Sequence, residues 1–96
     1  MYQIVYHKLV LKEDFKRIPK GDQKRIFRDI YKKLISGPSI FGKPLTDNLK
    51  GYFRLRIGQY RVIYRIEKQK IVVVVAHVGL RKDFAAYFES ARRLGL

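Results

Sequence analysis

Cysteine is absent from these 96 residues, and so is tryptophan. Without thiols there is no disulfide framework and no thiolate zinc site, which agrees with a reducing compartment and leaves stability to packing. Acidic residues are scarce: eight Asp and Glu stand against 22 Lys and Arg. The two histidines, His7 and His77, have no carboxylate cluster around them in the sequence, so neither a metal site nor another cofactor is expected. Long apolar runs are missing too. The longest block, 71–76, is far too short to span a bilayer, and the opening MYQIVYHKLV alternates instead of carrying a signal-type apolar stretch. Low-complexity sequence and internal repeats are also lacking. The expectation is one compact domain over 1–96, soluble and cytoplasmic, with no membrane partner.

What is there in excess is positive charge. A formal net charge of +14 goes far beyond the needs of solubility and suits a chain that meets polyanions, nucleic acid first among them. The remaining 47% of hydrophobic residues fall into patterns that predict the elements. Tyr2, Ile4 and Tyr6 alternate as in a strand. Leu11, Phe15 and Ile18 recur at helical spacing until Pro19 and Gly21 interrupt, and Asp22 offers an N-cap for a second helix. That helix carries Ile26, Phe27, Ile30, Tyr31, Leu34 and Ile35 on one stripe, with Lys24, Arg25, Arg28, Lys32 and Lys33 opposite, and stops at Ser36-Gly37-Pro38. The stretch 39–51 is rich in Gly, Pro, Asp and Asn and is expected to be a loop.

Strands return at Tyr52, and Gly58-Gln59 suits a two-residue hairpin turn. In that register 57 meets 60, 56 meets 61, 54 meets 63 and 52 meets 65. One face then carries Phe53, Leu55, Ile57, Tyr60, Val62 and Tyr64 as a core surface. The other carries Tyr52, Arg54, Arg56, Arg61, Ile63 and Arg65. The β-branched run 71–78 is expected as a central strand joined through a Lys68-Gln69 turn, which sets Arg61 opposite Ala76 and ends at Gly79. By the same register His77 shares parity with Val73 and Val75 and meets Tyr60, a hydrogen-bonded core position rather than that of a general base. Phe84, Tyr87, Phe88 and Ala91 describe the stripe of a last helix to about Leu94.

The expected order is β-α-α-β-β-β-α: an α+β fold with a small, mainly antiparallel sheet, two N-terminal helices packed on one face and a short C-terminal helix. Residues 54–64, RLRIGQYRVIY, preceded by L-x-G at 49–51 and followed by V-G-x-R at 78–81 with Tyr87 six residues on, resemble the RelE branch of the RelE/ParE toxin superfamily. The resemblance spans nearly the whole chain, though the helical N-terminal half matches only in pattern.

That resemblance implies the toxin of a type II toxin–antitoxin system, restrained by a cognate antitoxin with an acidic amphipathic segment. It further implies a metal-independent endoribonuclease that enters the ribosomal A site, touches 16S ribosomal RNA and cuts the messenger by attack of the substrate's own 2′-OH. Carried over by position, Arg54 and Arg56 match a basic pair that is usually lysine and helps to activate the nucleophile. Arg61 matches a contact to the scissile phosphate, Arg81 a group that assists the leaving oxygen, and Tyr87 an aromatic that stacks on the base. Guanidinium forks suit the charge of a pentavalent phosphorus, although arginine makes a poor general base. Arg65 and Lys82 are expected as general phosphate contacts, with Lys43 and Lys50 from the loop as further RNA-binding cations. Each has a plain alternative as solvated charge, and Tyr87 lies in an apolar stripe that also suits core packing. Arg61 and Arg81, assigned to an exposed face and a strand exit, are expected to matter for chemistry and hardly for folding. The competing functions are a ParE-like inhibitor of DNA gyrase and a non-catalytic basic nucleic-acid-binding module.

Overall fold

The computed structural model describes residues 1–82 and 85–95, the side chains of residues 48, 85 and 86 excepted. A first strand, β1 (Gln3–Tyr6), leads into a π-type turn (Val10–Asp14) and a 3-10 turn (Phe15–Arg17). Helix α1 (Lys20–Leu34) and the single turn α2 (Pro38–Phe41) follow. Then come β2 (Lys43–Pro44), a 3-10 turn (Asp47–Leu49), β3 (Tyr52–Ile57), β4 (Tyr60–Glu67), β5 (Val72–Leu80) and α3 (Ala85–Arg93). The strands form one sheet in the order β1-β5-β4-β3-β2. Every pairing is antiparallel except β1 with β5, which is parallel.

The main core lies between α1 and one face of the sheet. Ile26, Ile30 and Leu34, at helical spacing on α1, are fully buried and cluster with Leu55, Ile57, Val62, Tyr64, Val73, Val75 and Val78. Burying each such side chain contributes about 1.5–3 kcal/mol, so this face dominates stability. The segment before α1 is irregular where a regular helix was expected. Its buried residues are Val10, Asp14, Phe15 and Ile18, while Leu11 faces water. Gln23 ties it down by donating its side-chain amide to the carbonyls of Phe15 (2.6 Å) and Ile18 (2.8 Å). Helix α1 starts two residues before the expected Asp22 cap, with Pro19 at the N-cap position, and Tyr31 is exposed. The expected loop 39–51 instead contributes β2, which covers the start of β3 by pairing Lys43 with Arg54 and Pro44 with Phe53.

The β3–β4 hairpin follows the sequence register in every pair, from Ile57 against Tyr60 to Tyr52 against Arg65. Gly58 takes the positive φ of 59° that its turn needs. The β4–β5 pairing differs. Its connection spans residues 68–71, so Glu67 meets Val72, and a bulge at Ile63/Tyr64 adds one more residue to β5. Two residues from the turn and one from the bulge move Arg61 from Ala76 to Gly79. The strand also runs on to Leu80.

Beyond the bulge His77 pairs with Ile63 instead of Tyr60 and leaves the main core cluster. It is still buried, 3.9 Å from Asp14, so the expected burial holds while the expected partner and face do not. His7 accepts a hydrogen bond at Nδ1 from the backbone N–H of Leu9 (3.1 Å), which closes the turn after β1.

Candidate nucleic-acid cleft

Alternation along β3 and β4 delivers Arg54, Arg56, Arg61 and Arg65 to the sheet face opposite α1. That face is not left open along its length. Tyr52, Ile63 and Ala76 are buried there, with Leu45, Tyr87 and Leu94 packed against them, so α3 and the 43–50 segment cover its middle. Between this cover and the β3–β4 turn lies an open cleft of about 540 Å³ lined by Arg54, Arg56, Arg61, Arg81, Lys82 and Tyr87. Residues 33 positions apart in the sequence thus meet around one space. Among the described residues, no carboxylate or histidine lines the cleft, and none of its arginines has a carboxylate within ion-pair distance.

Arg61 is the best-fixed group of the set. Contrary to the expectation of an exposed residue, it is only 5% exposed. Its Nη2 donates to the backbone carbonyl of Arg81, and its guanidinium carbon lies 4.7 Å from the centre of the Tyr87 ring. Nε and Nη1 are buried without a hydrogen-bond partner among the described residues. A buried charge with two unused donors is costly to maintain, and an anion in the cleft would relieve that cost. Gly79, the cross-strand partner of Arg61, takes over the role expected of Ala76: it sets no side chain opposite the guanidinium.

Arg81 and Lys82, just past β5, are exposed, and so is Arg56, while Arg54 is half-buried. Tyr87 divides its ring between the cover of the sheet and Arg61, which reconciles packing with a place in the cleft. Its neighbour Phe88, expected in the packed stripe, is 80% exposed; the fully buried position is Ser90. Phe84 lies outside the described residues.

Arg65, Lys43 and Lys50 do not line the cleft. Arg65 donates Nη2 to Glu67 at 2.9 Å and sits beside Tyr52. Burial pushes the Tyr52 phenol above its ordinary pKa, and Arg65 opposes that shift. Lys43 lies on β2 across from Arg54, and Lys50 is exposed after the 3-10 turn.

What holds α3 over the sheet is a pair that no sequence spacing reveals. Arg93 donates Nη1 to Asp14 Oδ2 (2.7 Å) and Nη2 to Asp14 Oδ1 (3.0 Å), a two-pronged bond between side chains 4% and 2% exposed. Nη1 also donates to the Ala76 carbonyl at the bulge (3.0 Å), and the Val78 N–H donates to Asp14 Oδ2 (3.0 Å). The two residues are 79 positions apart. Their one signal in the sequence, a carboxylate within an apolar stretch and an arginine near the end of a helical stripe, is too common to pair them.

The chain matches the family model of ParE toxins of type II toxin–antitoxin systems over residues 4–83. Toxin RelG of Mycobacterium tuberculosis is 32% identical over 72 residues, which cover 75% of this chain and 83% of that protein. Toxin RelE of the same organism is 31% identical over 68 residues, 71% of this chain and 70% of the relative. Among solved structures, the toxin–antitoxin complex RelBE2 of M. tuberculosis contains a chain that superposes with a TM-score of 0.78 at 29% identity, covering 83% of this chain and 98% of that one. A mutant E. coli toxin RelE in the free state gives a TM-score of 0.79 over 97% of each chain; at 19% identity it speaks to the fold alone.

Proposed function

Because the chain belongs to the RelE/ParE superfamily of type II toxin–antitoxin toxins, on its RelE-type branch, we propose that it is an endoribonuclease that cuts messenger RNA in the ribosomal A site. The observation that carries this reading is the cleft, where the buried Arg61 offers two unused donors among four further cations and a tyrosine. In the proposed reaction the substrate 2′-oxygen bonds to phosphorus while the bond from phosphorus to the 5′-oxygen breaks. The 2′-OH loses its proton, the 5′-oxygen gains one, and the products carry a 2′,3′-cyclic phosphate and a 5′-OH. Arg61 holds a non-bridging oxygen of the scissile phosphate, and Arg81 stabilises charge on the departing oxygen. Arg54 and Arg56 neutralise charge near the nucleophile, and the Tyr87 edge borders the base.

With only permanently charged guanidiniums, one exposed ammonium and a phenol around the phosphate, proton transfer is left to groups of the ribosome and to solvent. Orientation of the messenger by the ribosome supplies much of the rate, and no metal takes part. The lining offers no carboxylate or imidazole ligand for one among the described residues. The reaction belongs to the cytoplasm, where translating ribosomes are. The partner that restrains it is an antitoxin with an acidic amphipathic segment, supported by the charge of +14 and by the M. tuberculosis relative seen as a toxin–antitoxin complex.

The family-model match favours a second reading, a ParE-like toxin that binds DNA gyrase without cutting RNA. One experiment separates the two: induce the protein, map new messenger 5′ ends, and assay supercoiling. In-frame cuts within translated messages support the ribonuclease. Loss of supercoiling without new ends replaces it with the gyrase reading.

A further inference from the structure

A second, smaller pocket of about 200 Å³ adjoins the cleft, lined by Lys33, Phe41, Lys43, Arg54, Leu55 and Arg56. Arg54 and Arg56 line both spaces, which places the two side by side, with Arg81 at the cleft and Lys33, in the last turn of α1, at the smaller pocket. The smaller pocket lies where β2 gives out: β2 pairs with Phe53 and Arg54, the Leu45 N–H bonds the Tyr52 carbonyl, and among the described residues Arg56 and Ile57 have no strand partner on that outer side.

The walls of this pocket combine two kinds of group. Lys33, Lys43, Arg54 and Arg56 supply positive charge, and among the described residues none of them has a carboxylate within ion-pair distance. Phe41 supplies a flat apolar surface that is 51% exposed. Its ring leans on Gly37, where a Cβ would sit 3.1 Å from Cε2 and 3.2 Å from Cδ2. One side of the ring is therefore supported while half of its surface meets water.

We propose that this pocket is a second RNA subsite, in which a nucleotide flanking the one in the cleft stacks its base on Phe41 and places its phosphate between Lys33 and Lys43. The proposal rests on the RNA reading of the cleft. Backbone-tracking cations beside a supported aromatic ring are the combination that single-stranded nucleic acid uses. An acidic protein segment would use the cations but has no need of the ring. A helix about 10–12 Å wide would not enter a pocket of this size, whereas a base or a phosphate does. A duplex keeps its base faces stacked and would leave Phe41 uncovered.

The test uses fluorescence anisotropy with 2′-deoxy oligonucleotides, which lack the nucleophile and so are not cut. The parent is expected to bind a hexanucleotide more tightly than a trinucleotide. Lys33→Ala and Phe41→Ala should each weaken hexanucleotide binding by about tenfold and leave the trinucleotide unchanged. Phe41→Tyr, which keeps the ring, should bind as the parent does. Single-turnover cleavage of saturating programmed ribosomes should keep its rate in all three variants.

Hexanucleotide binding that is unchanged in Lys33→Ala and Phe41→Ala overturns the subsite. Equal weakening of both probes overturns it as well, since that is general loss of charge or of fold. Unchanged RNA binding with weakened capture of a glutamate-rich helical peptide overturns it in favour of a protein partner. Selective loss of the hexanucleotide in Lys33→Ala and Phe41→Ala, together with a parent that cuts no ribosome-bound messenger, keeps the subsite and removes the ribonuclease reading. Cleavage that persists while all variants bind alike removes the subsite alone.

Discussion

Truncating Arg93 to alanine removes the guanidinium through which α3 is tied to the N-terminal turn and to the bulge of β5. Three hydrogen bonds go with it, two to Asp14 and one to the Ala76 carbonyl. Asp14 is then left buried, with the Val78 N–H at 3.0 Å and His77 at 3.9 Å. Breaking a buried ion pair from one side costs about 3–5 kcal/mol, because the surviving charge stays out of water unpaired. Set against the roughly 5–15 kcal/mol that holds a domain together, the loss is a large fraction of the whole.

Urea unfolding followed by circular dichroism should report that loss for Arg93→Ala. Hydrogen exchange should place the first openings in α3, where Tyr87 and, just past its end, Leu94 pack on the smaller cluster. The double variant Asp14→Leu, Arg93→Met should regain part of the stability, since an apolar pair leaves no lone buried charge, although the Val78 N–H and the Ala76 carbonyl lose their side-chain partners. In cleavage assays on programmed ribosomes, Arg93→Ala should lose rate even where it is fully folded, because Tyr87 no longer rests on Arg61. A stability loss below about 1 kcal/mol would refute the reasoning, since so small a value belongs to solvent-exposed pairs.

Arg61→Ala and Arg81→Ala should each lower single-turnover cleavage by about 100-fold or more, as loss of a preorganised donor to a developing oxyanion does. Arg81→Ala should keep the parent's melting temperature, whereas Arg61→Ala should melt lower, because Arg61 alone of the two is buried and bonded to the backbone. Gly42→Ala should destabilise the fold and disturb α2, since a Cβ at that position would collide with the Tyr64 hydroxyl; thermal unfolding measures it. Burial pushes the Tyr6 phenol up to about 12 and raises that of Tyr64 further. The folded state therefore holds these protons more tightly than the unfolded one, so the stabilisation is complete below pH 10 and is lost as the pH climbs towards 12. Tyrosinate absorbance should rise together with unfolding across that window, and titration of the half-buried Tyr6 and the buried Tyr64 near 10 would contradict the packing.

The sequence carries the β3–β4 hairpin well because a two-residue turn with glycine at a positive φ leaves one register. The β4–β5 pairing is harder for two physical reasons. Ile71, a β-branched residue, adopts φ 56°, which no propensity predicts, and that conformation lengthens the turn. The bulge then makes the total offset odd, so His77 changes both partner and face while Ala76 stays on the face expected of it. The arginine-bearing face is legible from alternation alone. Its partial cover by α3 is not, because the amphipathic stripe of that helix is misleading: Phe88 faces water and Ser90 is buried. Lys33 and Phe41 escape notice for a related reason, since their nearness to Arg54 depends on how β2 folds back onto β3.

The parallel pairing of β1 with β5 joins residues 3–6 to residues 72–75. Contacts of such long sequence separation cannot form while the chain between them is still being made, and they are among the slowest to close. The hairpin of β3 and β4 can form early, but it brings only Arg54, Arg56 and Arg61 near one another, without Arg81, Tyr87 or the Asp14–Arg93 tie. A ribosome making this protein has therefore already decoded the message beyond Arg93 before the cleft has all its walls. If the cleft is the site that meets messenger RNA, as proposed, the order of synthesis keeps it incomplete until Tyr87, the last of its walls, has been made.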